Sequence, residues 1–423
     1  MSALAKYLKS CGKTVAGSDI IESVYTRELQ AAGVKVDIGG DGNCVKDFDA
    51  VVYTDAIKPT DPQLCEAIRL KKQIVSRGQL LYEVSRNFKK VIAVSGCHGK
   101  TTCTSMLAHI FSCAGKKFCV HIGGNDIKFK NHYYCGDDYF ITEACEYKKN
   151  FLLLKPDVAV ILNSEADHLE CYGNAKNLKE AYKQFSDSAD ISVTLFKDGF
   201  HDGITFGTEK GANYSAHNIK NVAGMYSFSA YENGSMLGNV RLSVFGRHNV
   251  LNALAAIAAA RSVGVAFDYI AEGLNGFTGV ERRFERLGSA YGAQVFADYA
   301  HHPTEIKATV RTAKKITRGR LFVVFQPHTY SRTKNLFKDF VSVLSKQSNL
   351  LIYRTFAARE YFDDAGSAFT LARAIKKSRY GEEERDILNF ISDAREGDTV
   401  LFLGAGDIYD TAKRIIRTQQ LRP

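Results

Sequence analysis

The stretch Val91-Ile-Ala-Val-Ser95-Gly96-Cys97-His98-Gly99-Lys100-Thr101-Thr102 carries the densest chemistry in the chain. An apolar run enters a Gly-rich turn, and a stretch read as a helix, Thr102 to Ala114, leaves it. Backbone N–H groups in such a turn and at a helix N-terminus bind phosphate oxygens, a lysine adds a point charge, and a threonine hydroxyl can ligate Mg²⁺. Position 94 is Val, so the GxxxxGK[ST] pattern is not met and the loop is shorter than the common one. An ordinary glycine turn is the bland alternative. Strand, Gly-Lys-Thr-Thr and helix in that order favour phosphate binding by Gly96, Cys97, His98, Gly99, Lys100, Thr101 and Thr102.

Two acidic clusters follow, each at the end of an expected strand: Thr142-Glu143-Ala144-Cys145-Glu146-Tyr147 and Asn163-Ser164-Glu165-Ala166-Asp167-His168. Taken alone, either reads as loop solvation or capping. In doubly wound folds, however, ligands gather at the carboxyl ends of strands, so both clusters are expected to face the phosphate loop. Carboxylate with neutral imidazole suits nucleotide-bound Mg²⁺. Further on, Phe245-Gly246-Arg247-His248-Asn249-Val250-Leu251-Asn252 presents polar edges for a base or phosphate, with Asn249 as helix N-cap the structural alternative. Asp298-Tyr299-Ala300-His301-His302-Pro303-Thr304-Glu305 and Phe325-Gln326-Pro327-His328-Thr329-Tyr330-Ser331-Arg332-Thr333 each follow an expected strand. The paired histidines lack partners at zinc spacing. Arg332 suits bidentate binding of a carboxylate, such as that of an amino acid.

The elements that must position these residues alternate short β-branched runs with amphipathic helices, the pattern of parallel sheets covered by helices. The fold class expected is α/β in three domains: a Rossmann-like domain at 1–88, a central P-loop-type α/β domain at 89–279, and a Rossmann-like domain at 280–423. Expected strands include Lys90 to Ser95, Tyr139 to Thr142, Val158 to Asn163, Gln294 to Asp298, Gly319 to Phe325, Asn349 to Arg354 and Thr399 to Leu403. An Ala-rich helix is expected from Asn249 to Val263. The first domain opens inside a helix, although doubly wound domains normally open with a strand and a Gly-rich turn.

A chain of 423 residues with 45% hydrophobic and 24% charged residues is globular and too long for one core. There is no apolar run of about 18 residues and no signal-peptide pattern, so neither membrane insertion nor export is expected, and the location expected is cytoplasmic. The ten cysteines form no repeating CxxC pairs and read as reduced, buried small hydrophobes. Neither Cys113 with Cys119 nor Cys135 with Cys145 matches a zinc spacing. The net charge of +10 admits nucleic acid, but Lys and Arg are dispersed, which favours a small polyanionic substrate.

These motifs, in this order, resemble the Mur ligase family over essentially the whole chain. The likeness is carried by Gly96 to Thr102, Glu143, Asn163 with Asp167-His168, His248-Asn249 with Asn252, and Arg282-Arg283. The stretches from Asp298 to Pro303 and from Phe325 to Arg332 resemble the branch that adds L-alanine; a tripeptide-recycling branch shares only the double histidine. The resemblance implies that ATP phosphorylates the lactyl carboxylate of UDP-N-acetylmuramate, and that L-alanine attacks the acyl phosphate. By the same resemblance Lys100 would bridge the β- and γ-phosphates. Thr101 and Glu143 would hold one Mg²⁺, and His168 would help with a second. His248, Asn249 and Asn252 would steady ATP, and Arg283 and Asp298 would reach the nucleotide. Tyr299, His301 and Arg332 would position L-alanine, while Ser18, Asp19, Gly123, Gly124 and Asn125 would serve the uridine end.

Two departures stand out. Family members open with a strand and a Gly-Ile-Gly-Gly type of loop that binds the substrate diphosphate; Met1 is therefore expected to be an internal methionine or a truncation point. Thr329 stands where some members carry arginine. The alternatives are another Mur-type or folate-polyglutamate-type ligase, or a nucleotide-binding protein without turnover. Oligomeric state is open between monomer and homodimer.

Overall fold

The computed structural model describes residues 1–39, 43–165, 169–200, 202–358 and 360–420. In the amino-terminal stretch, strands β1 (Ala16–Asp19), β2 (Lys35–Ile38), β3 (Ala50–Tyr53) and β4 (Gln73–Ser76) alternate with helices α1 (Ser2–Ser10), α2 (Val24–Ala31), α3 (Pro62–Arg69) and α4 (Arg77–Ser85). The strands pair as two separate parallel sheets, β1–β2 and β3–β4. Local sequence explains the helix starts. Asp61 accepts from the N–H groups of Gln63 and Leu64 at 3.0 and 3.2 Å, with Pro62 in the first turn of α3. Ser76 ends β4 and also forms a capping box with Gln79, so strand passes directly into helix α4.

The following strands are β5 (Lys90–Ser95), β6 (Phe118–Asp126), β7 (Lys130–Tyr134), β8 (Tyr139–Glu143), β9 (Val158–Ile161), β10 (Ile191–Leu195), β11 (Ile204–Gly207), β12 (Tyr214–Val222), β13 (Met225–Glu232) and β14 (Ser235–Phe245). They form a ten-stranded sheet in the order β14-β13-β12-β11-β10-β9-β5-β8-β6-β7. From β11 through β9, β5 and β8 to β6 the pairs are parallel, and β7 closes the edge antiparallel to β6. Val91 to Ser95 are all buried, as befits a strand covered on both faces.

Helices α5 (Lys100–Cys113), α6 (Leu169–Tyr172), α7 (Ala175–Asp187), α8 (His248–Ser262) and α9 (Phe267–Asn275) belong to the same region. Helix α8 is buried all round, its alanines from Ala253 to Ala260 fully covered, so it is a core helix rather than an amphipathic surface one. Helix α5 is buried from Thr101 to Phe111 despite its polar residues. Its Ser105 donates to Asp126, and the His109 ring lies 3.1 Å from the same carboxylate. Burial pushes the Asp126 carboxyl up, but bonds from His109, Ser105 and the Phe129 N–H outweigh it and hold the group below its ordinary range.

The last strands are β15 (Glu285–Ala290), β16 (Ala293–Asp298), β17 (Leu321–Phe325), β18 (Asn349–Tyr353), β19 (Ser378–Gly381) and β20 (Thr399–Leu403). Their order is β15-β16-β20-β17-β18-β19, parallel except for the β15–β16 hairpin. Helix α10 (Pro303–Ile316) follows β16. The chain divides into two compact units. The first comprises Met1–His217, Ser229–Val240 and Leu251–Phe277; the second comprises Asn218–Phe228, Arg241–Val250 and Thr278–Pro423.

Several expected bounds move. Strand β9 ends at Ile161, because Asn163 turns its side chain to the neighbouring loop instead of continuing the ladder. Helix α5 begins at Lys100, two residues early, because Gly99 in the left-handed region lets the turn close at once. The β6–β7 hairpin was not anticipated: its polar residues and paired glycines conceal the strand period.

Candidate functional site

The first unit carries the loop between β5 and α5. Gly99 caps α5 at φ +87°, and a side chain there would run into the Asn252 carboxamide, so glycine is required on both counts. The loop is clamped from β9: the His98 N–H donates to Asn163 Oδ1 at 3.1 Å, and Asn163 Nδ2 donates to His98 O at 2.9 Å. One carboxamide thus holds both backbone groups of one residue. The Cys97 thiol donates to Glu165 O at 2.8 Å, and the His98 ring is 3.7 Å from the Glu165 carboxylate.

Lys100 turns back over the loop. Its Nζ donates to Gly96 O at 2.5 Å and to both Glu146 oxygens at 3.1 and 3.0 Å. Glu146 is 1% exposed, so this is a buried pair. Burial works against the Lys100 charge, but Glu146, with Cys145 and Glu143, overrides it and holds the ammonium above the ordinary lysine range. Thr101 and Thr102 are buried in the first turn of α5. Glu143, at the carboxyl end of β8, accepts from the Gly123 N–H at 2.5 Å, which ties the Gly123-Gly124-Asn125 stretch of β6 to the acidic group beside the loop. The hydroxyl of Thr101 and the carboxylate of Glu143 are hard oxygen donors of the kind Mg²⁺ prefers.

Of the expected residues, Gly96 to Thr102, Glu143, Gly123 and Asn252 therefore come together. Asp167 and His168 lie outside the described residues. Ser18 and Asp19 sit on β1, in its separate two-stranded sheet; Ser18 Oγ donates to Gln63 Oε1 at 2.6 Å and Asp19 accepts from the Ile20 N–H at 2.8 Å. Asn249 is not the N-cap of α8. The helix already begins at His248, and Asn249 Nδ2 donates to Phe245 O at 2.7 Å, so the carboxamide serves an upstream carbonyl instead. One helix carries His248, Asn249 and Asn252, although the first two belong to the second unit and Asn252 to the first.

The second unit gathers its groups at the carboxyl ends of β16, β20 and β17. Asp298 accepts from the Phe284 and Ala300 N–H groups, each at 2.7 Å. Burial pushes its carboxyl up to about 6, against the pull of Arg283. The Tyr299 ring has the Arg282 and Arg283 guanidinium carbons 4.9 and 5.1 Å from its centroid. Arg282 also donates to Gly406 O at 2.7 Å, in the loop after β20. The His301 ring lies 3.0 Å from Tyr299 O and 3.4 Å from Glu305, and its centroid is 5.9 Å from that of His328. Arg332 donates to His328 O at 2.8 Å. Burial drives both His301 and His328 down to about 4, so both are neutral near pH 7. His302 caps α10 together with Glu305, which accounts for the doubled histidine: one ring faces the cluster and the other starts a helix. Asp298, Tyr299, His301, Arg283 and Arg332 are thus brought into one polar cluster.

The sequence reasoning passed over Glu146 as a site residue. It named the acidic cluster but had no means of choosing between Glu143 and Glu146; only their partners, the Gly123 N–H for Glu143 and Lys100 for Glu146, separate the roles. Arg282 and Glu305 were likewise not singled out as site residues, and their signal was proximity to Arg283 and His301 in sequence.

Three family models match consecutive segments: the Mur ligase family, catalytic domain, at residues 1–89; the Mur ligase middle domain at 94–260; and the Mur ligase, glutamate ligase domain, at 282–406. A UDP-N-acetylmuramate–L-alanine ligase from Clostridium novyi is 40% identical over 99% of this chain and 95% of its own length. One from Acetivibrio thermocellus is 36% identical over 100% of this chain and 94% of its own. Among solved structures, UDP-N-acetylmuramate-alanine ligase MurC from Thermotoga maritima is 28% identical with a TM-score of 0.85, covering 99% of this chain and 96% of that one. A murein peptide ligase from Psychrobacter arcticus shares the fold at 23% identity and a TM-score of 0.76. With likeness running end to end in both sequence and architecture, the chain belongs to the Mur ligase family.

Proposed function

We infer that this chain is an ATP-dependent ligase that joins L-alanine to UDP-N-acetylmuramate, with ADP and phosphate as the other products, in the building of peptidoglycan precursors. The observation that carries the substrate choice is the 40% identity, across almost the full length of both chains, to a ligase of that specificity. The geometry supports the reaction class. Forming an amide from a carboxylate requires turning its oxygen into a leaving group, and phosphoryl transfer between anions needs charge cancellation and alignment rather than a protein nucleophile.

In this reading Gly96 to Thr102 cradle the triphosphate of ATP, and Lys100, kept positive by Glu146, meets its outer phosphates. Glu143 and Thr101 would hold Mg²⁺, with His168 serving a second ion, and the chemistry such an ion would supply there is charge neutralisation at the phosphoryl group. Arg332 takes the L-alanine carboxylate, while Tyr299 and neutral His301 bound that subsite. Arg283 and Asp298 serve the nucleotide, as do His248, Asn249 and Asn252. Gly123, Gly124 and Asn125, with Ser18 and Asp19, serve the sugar nucleotide. The domains are drawn at 1–88, 89–279 and 280–423, and the location is the cytoplasm; no described helix is long and apolar enough to cross a membrane.

The deciding experiment is phosphate release with Mg-ATP and UDP-N-acetylmuramate across a panel of single amino acids. Release is expected only with sugar nucleotide and L-alanine together. Release that answers equally to another amino acid, or proceeds without the sugar nucleotide, refutes the assignment.

A further inference from the structure

The antiparallel pairing of β6 and β7 sets His121 directly opposite His132, and Cys119 opposite Tyr134. Side chains two residues apart on a strand share a face, and so do cross-strand partners. Cys119, His121 and His132 therefore project from one face of the hairpin. Their ligand atoms all lie within 4.8 Å of one another. Cys119 Sγ is 4.0 Å from His132 Nδ1, and the two imidazole centroids are 5.1 Å apart. Cys119 is fully buried and His121 is 5% exposed. His121 Nε2 is buried without a hydrogen-bond partner, a costly state for a polar nitrogen unless something else satisfies it.

Burial, then His132 and Arg77, hold His121 well below the ordinary histidine range; burial and Lys6 hold His132 down to about 4. Tyr7 from α1 lies over the pair, its ring centroid 6.1 and 6.2 Å from theirs. From this donor set we propose that Cys119, His121 and His132 form a binding site for a borderline divalent cation of the zinc class. One sulfur and two imidazole nitrogens suit such an ion and are a poor set for Mg²⁺. Metals of this class bind thiolate, so the Cys119 S–H proton passes to solvent as the sulfur–metal bond forms. The ion would tie β6 to β7 just ahead of Gly123, whose N–H donates to Glu143. Its donors share no residue with Thr101 and Glu143, the pair assigned to Mg²⁺.

The test uses the full chain, stripped with a chelator and titrated with Co²⁺ as a spectroscopic stand-in for Zn²⁺. One Co²⁺ per chain is expected, with a thiolate-to-metal charge-transfer band that Zn²⁺ abolishes and that Cys119→Ser lacks. His132→Gln should weaken binding by more than the roughly 10- to 100-fold lost with an outer-shell partner. Zn K-edge absorption of the unaltered chain at one equivalent does not depend on a variant folding. It should give one sulfur at about 2.3 Å and two imidazole nitrogens at about 2.0–2.1 Å. A shell of several sulfurs, a shell with none, or a cobalt band that survives in Cys119→Ser overturns the site.

Discussion

At the scale of single residues, the pair Lys100–Glu146 sets the electrostatics of the phosphate loop. Glu146 is the more deeply buried partner, and removing either group takes away the other's direct counter-charge. Losing one member of a buried pair costs about 3–5 kcal/mol, whereas replacing both with neutral groups costs far less. Lys100→Met and Glu146→Gln should each lower stability by an amount near that range in urea denaturation, and the double variant by clearly less than their sum. Additive losses would refute the coupling. Asn163 was legible as a family residue, but its bidentate hold on His98 was not. A sequence does not reveal which backbone groups a carboxamide will reach across two neighbouring strands.

At the scale of elements, the packing of α9 on α5 depends on Gly273. A Cβ there would lie 2.6 Å from Ile110 Cα and 2.7 Å from Ile110 N, which are backbone atoms that cannot rotate away. Gly273→Ala improves helix propensity by about 1 kcal/mol, but overpacking costs about 1–3 kcal/mol. A net loss of stability is expected, read as a lower urea midpoint with an unchanged m-value; a midpoint that rises would show that the helices separate freely. Much of the element list was readable beforehand. Lys90–Ser95 and Thr399–Leu403 were predicted with the observed bounds, because continuous apolar runs between turn residues leave little choice. The β6–β7 hairpin was missed, since its inward face carries Cys119, His121 and His132 rather than aliphatic residues.

At the scale of the molecule, three buried groups of the second unit make stability depend on pH in opposite senses. His301 and His328 fall from an ordinary 6.5 to about 4 on folding, and Asp298 rises from 3.8 to about 6. At these three groups, between about pH 4 and 6, the unfolded chain holds two more histidine protons and one fewer at Asp298, a net excess of one, and the lowered His121 and His132 act in the same sense, so acidification destabilises the fold. From about pH 6 to 6.5 the histidines act alone. His301 faces Tyr299, Glu305, Arg283 and Arg332; His328 faces His301, Arg282 and Arg332. Thermal midpoints of the full chain should therefore fall as pH drops through this window. The fall should be shallower in His328→Asn and steeper in Asp298→Asn, which removes the opposing group. A shallower fall in Asp298→Asn would contradict the assignment.

What the sequence by itself determined was the α/β class, the order of the phosphate loop, acidic groups and histidine–arginine stretches, and the family they belong to. Those properties are local: apolar period, glycine placement and motif order survive without knowledge of contacts. What only the tertiary structure decided was partnership. Glu146 rather than Glu143 bonds Lys100 directly, Asn249 does not cap its helix, His302 caps α10 while His301 faces the cluster, and a cysteine and two histidines meet on one face of an unexpected hairpin. Each of those outcomes depends on which strand lies beside which and in what register. A shift of one residue turns every side chain of a strand to the opposite face, and motif spacing along the chain carries no record of that choice.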